Sequence, residues 1–299
     1  MTLSIIIVNW NVKDLLQKCL KSIINYVQDV DYEIIVVDNC SYDGSQEYLK
    51  EISRKRSQIK VVLNEKNFGF SKANNQALKK AKGEFILFLN PDTEFIEKNK
   101  IGKVIELMKQ NKKWGIVGCQ LIGLDKEIQP SVRNFPTISS QLIIILKLQY
   151  LFPKLKVLKK YFQTDFDYKK IKEVEQVAGS FILTRKKILD QVGSFDEIFH
   201  LWFEDADLCY RTKRAGYQIV YYPEIKIIHH GGKSFWQLMS IDRQRIYNKS
   251  LLTYFQKHSH IKHYWPLILV QPISLFLAML SGVYPSELKK KVKKKLNVD

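Results

Sequence analysis

From Leu3 to Leu121 the chain alternates two kinds of segment, and this alternation limits the possible folds more than any other feature. "LSIIIVN", "YEIIVVDN", "IKVVLN", "EFILFLN" and "WGIVGCQL" are almost uninterrupted apolar runs. A strand with one wet face alternates apolar and polar residues, whereas a run that is apolar throughout is dry on both faces. Between these runs the apolar residues recur with a helical period. Leu15, Leu16, Cys19, Leu20, Ile23, Ile24 and Val27 mark one helix, and "SYDGSQEYLKEI" opens another. Gly69 to Ala81 forms a third, with Ala73, Ala77 and Ala81 on one face, and Ile101, Val104, Ile105 and Met108 mark a fourth. Dry strands interleaved with amphipathic helices imply an α/β fold, with a mainly parallel sheet flanked by helices.

The pattern breaks near residue 125. "ISSQLIIILKLQYLFPKLKVLKKYF" mixes apolar clusters with lysines and has no sheet period. Order returns with "VEQVAGSFILTR", read as one strand carrying a glycine where something approaches the backbone. Helices at "RKKILDQVG" and at "FEDADLCYRTKRAG", the latter ending at Gly216, precede the strand "YQIVYYP" and the segment "IIHHGGKS".

Polar groups gather where the strands end: Asn9 and Asn11, Asp38 and Asn39, Asn64 and Asn67, Asn90 and Asp92. Each alone is ordinary turn chemistry, since Asn, Asp, Pro and Gly all favour turns. Four such tips on successive parallel strands point instead to one crevice at the carboxyl edge of the sheet, where open α/β folds bind ligands. The glycine signatures of dinucleotide dehydrogenases and P-loop enzymes are absent, and so is a G-x-S-x-G nucleophile elbow. A carboxylate-bearing site with few phosphate-cradling glycines can hold a diphosphate through a divalent cation, which takes oxygen ligands.

The net charge of +18 admits nucleic acid, an anionic membrane surface or an anionic substrate as partner. No helix-turn-helix, zinc finger or RNP-like motif accompanies it, which argues against nucleic acid. Six lysines cluster from Lys289 to Lys295, behind the nearly uncharged "WPLILVQPISLFLAML" of Trp265 to Leu280. That run is shorter than the ~20 residues of a spanning helix and contains two prolines, so it reads as a peripheral membrane contact or as a buried helix. Cys19, Cys40, Cys119 and Cys209 are scattered, which fits neither a zinc cage nor a disulfide framework and suits a reducing cytoplasm. The chain enters a strand at once, so no secretory leader is expected.

Taken in order, "SIIIVNWN", "IIVVDNCSYDGS", "NFGFSKANNQAL", "FLNPD", "GSFILTRKKILDQVGSFDEIF", "EDADLCYRTKRAGYQIVYYP" and "IIHHGGKS" resemble the family 2 glycosyltransferases of the GT-A fold, in their rhamnosyltransferase-like branch. The resemblance covers about residues 3 to 235. It implies an inverting transfer of a sugar, rhamnose or a similar hexose, from a nucleotide diphosphate donor with magnesium or manganese. The acceptor would be a saccharide or lipid-linked saccharide of cell-surface polysaccharide synthesis. It assigns donor nucleotide binding to Asn9, Asp38, Asn67 and Asn90, metal binding to Asp92 and to His229, with His230 as the alternative, and the catalytic pair to Glu204 and Asp205, with Asp205 as general base. Asn90 stands where many relatives have the first Asp of Asp-x-Asp. Gly179, Ser180 and Trp202 are expected to touch donor or acceptor.

Each assignment has a plainer counterpart. Asp38 can end a strand, Glu204 and Asp205 can serve the positive end of a helix, and Gly179-Ser180 can be a bulge. Asp207 and Arg211, four apart, read as a surface pair. The expected organisation is a GT-A domain over 1–235, comprising a nucleotide-sugar half (1–125), an apolar and basic insert (126–172) and an acceptor and catalytic half (173–235). A helical, membrane-associating region with a polybasic tail follows over 236–299, which would place the enzyme on the inner face of the cell membrane. A sugar nucleotidyltransferase and a basic nucleic-acid-binding protein are the competing readings.

Overall fold

The computed structural model describes residues 1–98, 100–231 and 240–280. The polybasic run Lys289 to Lys295 and the end of "IIHHGGKS" lie outside the described residues. The first half runs β1 (Leu3–Asn9), α1 (Lys13–Tyr26), β2 (Tyr32–Asp38), α2 (Ser45–Lys55), β3 (Ile59–Leu63), α3 (Phe70–Leu78), β4 (Phe85–Leu89), β5 (Thr93–Phe95), α4 (Ile101–Gln110) and β6 (Trp114–Ile122). The insert holds β7 (Ile128–Gln129), β8 (Val132–Arg133), α5 (Ile138–Ile145) and α6 (Lys156–Phe162). Then come β9 (Lys172–Val174), β10 (Gln176–Val177), β11 (Phe181–Arg185), α7 (Lys186–Val192), α8 (Glu204–Arg214) and β12 (Gln218–His229). The helices α9 (Ser240–His258), α10 (Ile261–Leu269) and α11 (Gln271–Met279) close the described chain.

The main sheet is ordered β3-β2-β1-β4-β11-β6-β12-β5. β3, β2, β1 and β4 are parallel, as are β6 and β12, while β11 runs antiparallel between β4 and β6. Side-chain alternation separates two cores. Ile5, Ile7, Ile34 and Val36 face α1, α2 and α4, and Ile6, Val8, Ile35 and Val37 face α3, α7 and α8. Both faces are covered, which is why these strands read as continuous apolar runs. A third core joins Ile145 of α5, Phe199, Phe203, Ala206 of α8, and Leu251, Tyr254, Phe255, Tyr264 and Leu267 of α9 and α10. The C-terminal helices thus pack directly on the loop that leads into α8.

Three expectations change. "VEQVAGSFILTR" is not one strand but β9, β10 and β11, and Gly179 lies in the turn before β11. "YQIVYYP" does not stop at Pro223. The strand continues to His229 across a register shift between Tyr222 and Lys226, where the proline removes no ladder donor. Asp207 and Arg211 are not a surface pair, because Asp207 is wholly buried. It takes hydrogen bonds from Arg211 Nε (2.8 Å) and His258 Nε2 (2.7 Å) and pairs with Lys257 Nζ (2.8 Å). α8 and α9 are pinned together there.

Candidate functional site

The four strand tips meet around one cavity of ≈310 Å³. Val8 and Trp10 come from β1, Asn39 from β2, Asn67 and Gly69 from the loop after β3, and Asn90, Pro91 and Asp92 from β4. The lining is completed by Ala178, Gly179, Ser180, His200, Leu201, Trp202, Glu204, Asp205 and His229, with Ile246 from α9. The backbone is unusual here. Asn11, Cys40, Trp202 and Phe203 all have positive φ, a rare state for non-glycine residues that costs energy and concentrates at functional sites. Gly69, at φ +84°, is required: a Cβ there would lie 2.4 Å from His200 Nδ1.

The expected nucleotide-binding residues divide. Asn67 and Asn90 line the cavity, and Asn67 Oδ1 accepts from Asn39 Nδ2 at 2.9 Å. Asn9 and Asp38 lie behind the wall and are fully buried. Asp38 Oδ2 accepts from Asn9 Nδ2 at 2.8 Å, and its Oδ1 from Ser41 N at 2.8 Å and Gln46 Nε2 at 3.1 Å. Asp38 therefore holds the β1 and β2 tips together and acts on the cavity through them. Asn39, next to it, is the residue that faces the cavity.

β5 brings one of the two histidines to Asp92. It pairs antiparallel with β12 so that Thr93 lies opposite His229, which brings Asp92 beside that ring, with Oδ1 3.6 Å from His229 Nε2. Gln129 Nε2 donates to the His229 carbonyl at 3.1 Å, so its Oε1 must face the ring and accept from Nδ1–H at 2.8 Å. Nε2 is then the ring nitrogen turned towards Asp92, with the other nitrogen held by a polar partner as in many metal-binding histidines. His230 is engaged by Glu94 at 2.5 Å instead. Among the described residues no three His, Cys, Asp or Glu side chains converge on a metal position. One carboxylate and one imidazole suit an ion such as magnesium or manganese that draws its other ligands from substrate phosphates and water. Gln129 was not expected from sequence, because its role depends on a partner 100 residues away.

Glu204 and Asp205 begin α8 without capping it, and Phe203 at the N-cap makes no side-chain cap either. Asp205 Oδ2 accepts from Gly179 N at 3.0 Å, and Oδ1 from Ala206 N at 2.7 Å. The close approach expected at Gly179 is this carboxylate: a Cβ there would sit 3.3 Å from it. Burial, then the neighbouring Asp205 charge, pushes the Glu204 carboxyl up to about 8. Burial also raises Asp205, opposed by the Ala206 and Gly179 amides and the Arg133 charge. Two adjacent buried carboxyls cannot both ionise cheaply, so they titrate as a pair, and the amide-bonded Asp205 is the better placed of the two to hold the charge. Ser180 Oγ and Glu204 Oε2 are buried at the cavity wall with no hydrogen-bond partner. Buried polar atoms left unpaired cost ~1–3 kcal/mol each, so two on one wall mark a place for a polar ligand.

Residues 4–193 match the model for Glycosyl transferase family 2. The chain belongs to that family. A second model, Glycosyl transferase family group 2, matches residues 154–288. Rhamnosyltransferase WbbL of Escherichia coli is 28% identical over 80% of this chain and 90% of its own. The N-acetylglucosaminyl-diphospho-decaprenol L-rhamnosyltransferase of Mycobacterium tuberculosis is 24% identical, with 67% of each chain covered. Against the curated relatives it matches, the chain spans from 16% to 90% of their length. Among solved structures, mannosyltransferase PcManGT from Pyrobaculum calidifontis, with GDP-Man and Mn2+, superposes with a TM-score of 0.58 at 14% identity. That alignment covers 98% of this chain and 78% of the other, and it shows a shared GT-A fold. The fold and family expected from the ordered motifs are both met.

Proposed function

We propose that this family 2 enzyme is an inverting transferase that moves rhamnose or a similar hexose from a nucleotide diphosphate donor to a saccharide or lipid-linked saccharide of the cell surface. The observation that carries the reading is that Asp205 and the Asp92–His229 pair line one cavity. The donor diphosphate lies toward Asp92 and His229, and the nucleotide runs over Asn39 and Asn67 at the strand tips. A magnesium or manganese ion held by Asp92 and His229 would offset negative charge growing on the departing nucleoside diphosphate. Asp205, ionised while Glu204 stays protonated, accepts the proton of the acceptor hydroxyl as the new bond forms to the anomeric carbon. Its two amide partners fix the carboxylate on that line, and Gln129 fixes the His229 ring. Trp202 offers an aromatic wall to a sugar ring. Support for the sugar comes from the two rhamnosyltransferases among the relatives, and for the metal from the manganese bound to PcManGT.

The same reading has the enzyme working at the cytoplasmic face of an anionic membrane. No helix among the described residues is long and apolar enough to cross one. Yet Ile261, Trp265 and Leu269 are exposed at four-residue spacing on α10, and Ile273, Phe276 and Met279 are exposed on α11. Only Tyr264, Leu267, Ser274 and Ala278 of these two helices are buried.

A panel of nucleotide sugars incubated with the full chain and manganese tests the reading. The expected result is release of nucleoside diphosphate from one donor, with Asp92→Ala losing the manganese-dependent part of donor affinity. Release of pyrophosphate, or equal manganese enhancement in Asp92→Ala and parent, contradicts it.

A further inference from the structure

A second cavity, of ≈170 Å³, shares Ala178, Trp202 and Asp205 with the first. It is about the size of an engineered apolar cavity that admits benzene. Its walls carry the rings of Tyr161, Trp202, Phe203 and Tyr247, and the sole cation among its lining residues is Arg133, the last residue of β8. The guanidinium lies beside Tyr161 and 5.5 Å from the centre of the Phe162 ring. Among the described residues no carboxylate is within salt-bridge distance of it. Asp205 acts on it through its charge.

A partly buried guanidinium without a contacting anion is costly, and a ligand anion removes that cost. Arginine presents a planar fork of donors that matches phosphoryl oxygens two at a time. We propose that Arg133 seats a phosphoryl group of the acceptor in this second cavity, so that the acceptor is a glycosyl phosphate or diphosphate ester rather than a neutral glycan. The proposal rests on the reading of Asp205 as the base. Arg133 and Asp205 wall one small cavity, so the phosphoryl group lies within about one sugar ring of the accepting hydroxyl. The aromatic walls then take the faces of that ring. A lipid-linked sugar diphosphate and a soluble sugar phosphate share this chemistry.

Calorimetric titration of the full chain in EDTA tests it, because chelation removes metal-held diphosphate binding in the first cavity. The probes are geranyl diphosphate, N-acetylglucosamine 1-phosphate and uncharged N-acetylglucosamine. At least one phosphoryl probe should bind the parent and bind Arg133→Gln about thirtyfold or more weakly, since one partner of a buried charge pair is lost. Arg133→Lys should fall between, and uncharged N-acetylglucosamine should not distinguish the variants. Binding of the prenyl probe alone identifies a lipid-linked source, and equal binding of both phosphoryl probes a soluble ester. No phosphoryl binding by the parent, or equal affinity in Arg133→Gln, overturns the proposal. So does an Arg133→Gln variant of parental affinity whose only change is a shifted pH–rate profile, which would mean that Arg133 merely keeps Asp205 ionised. The titration uses neither donor nor metal, so it remains readable if the nucleotide-sugar panel fails.

Discussion

Glu204 and Asp205 are neighbours in sequence and both are buried, and hydrogen bonding separates them. Glu204 has no hydrogen bond at Oε2, whereas each Asp205 oxygen accepts from a backbone amide. The Glu204 carboxyl titrates at about 8 in the folded chain against an ordinary 4.5. Between those values the folded state keeps a proton that the unfolded state has lost. The stability Glu204 contributes is therefore full below about pH 4.5 and is lost as pH rises through about 8. Glu204→Gln removes the titration and keeps the shape. It should flatten the decline in melting temperature between pH 5 and pH 9 and add on the order of 1–3 kcal/mol at the alkaline end. Parallel melting curves for variant and parent across that range would show that Glu204 is ionised at neutrality and that the proton is elsewhere.

Among the elements, α8 carries the site residues and α9 holds it in place. Asp207 ties Arg211 of its own helix to Lys257 and His258 of α9, and Arg211 also donates to the Val192, Gly193 and Ser194 carbonyls at the end of α7. Asp207→Asn leaves the Arg211 and Lys257 cations and the His258 ring around an amide. It should cost ~3–5 kcal/mol, the usual penalty for breaking a buried pair from one side, read from urea unfolding. A loss below about 0.5 kcal/mol, the range of an ordinary surface change, would return Asp207 to the surface-pair class. This network was not legible in the sequence, because an acid and an arginine four residues apart look the same on either face of a helix. The strands were legible, since only a sheet covered on both faces gives runs like "SIIIV" and "FILFL". That Asp92 meets His229 rather than His230 follows from the register of β5, three residues too short to announce themselves. Arg133 was missed because its cavity is assembled from β8, α6, α8 and α9, segments with no shared sequence signal.

At the scale of the molecule, the C-terminal helices are part of the site. Ile246 lines the first cavity, Tyr247 the second, and Ser250 Oγ donates to the Leu201 carbonyl at 2.7 Å. Deleting α10 would therefore remove Tyr264 and Leu267 from the third core, and surface substitutions are the cleaner probe of membrane contact. Trp265→Ser, Leu269→Ser and Phe276→Ser together should move the full chain out of the floated fraction with anionic vesicles at low salt, while the melting temperature holds. Unchanged flotation would mean that this face is not the contact. The central claim is that the fold brings donor and acceptor to opposite sides of Asp205. Asp205→Asn preserves the shape but cannot accept a proton. The decisive measurement is donor affinity and transfer rate in that one variant. The account predicts donor affinity within about twofold of the parent and transfer slower by about 10²–10⁴-fold. Transfer at the parental rate would contradict it.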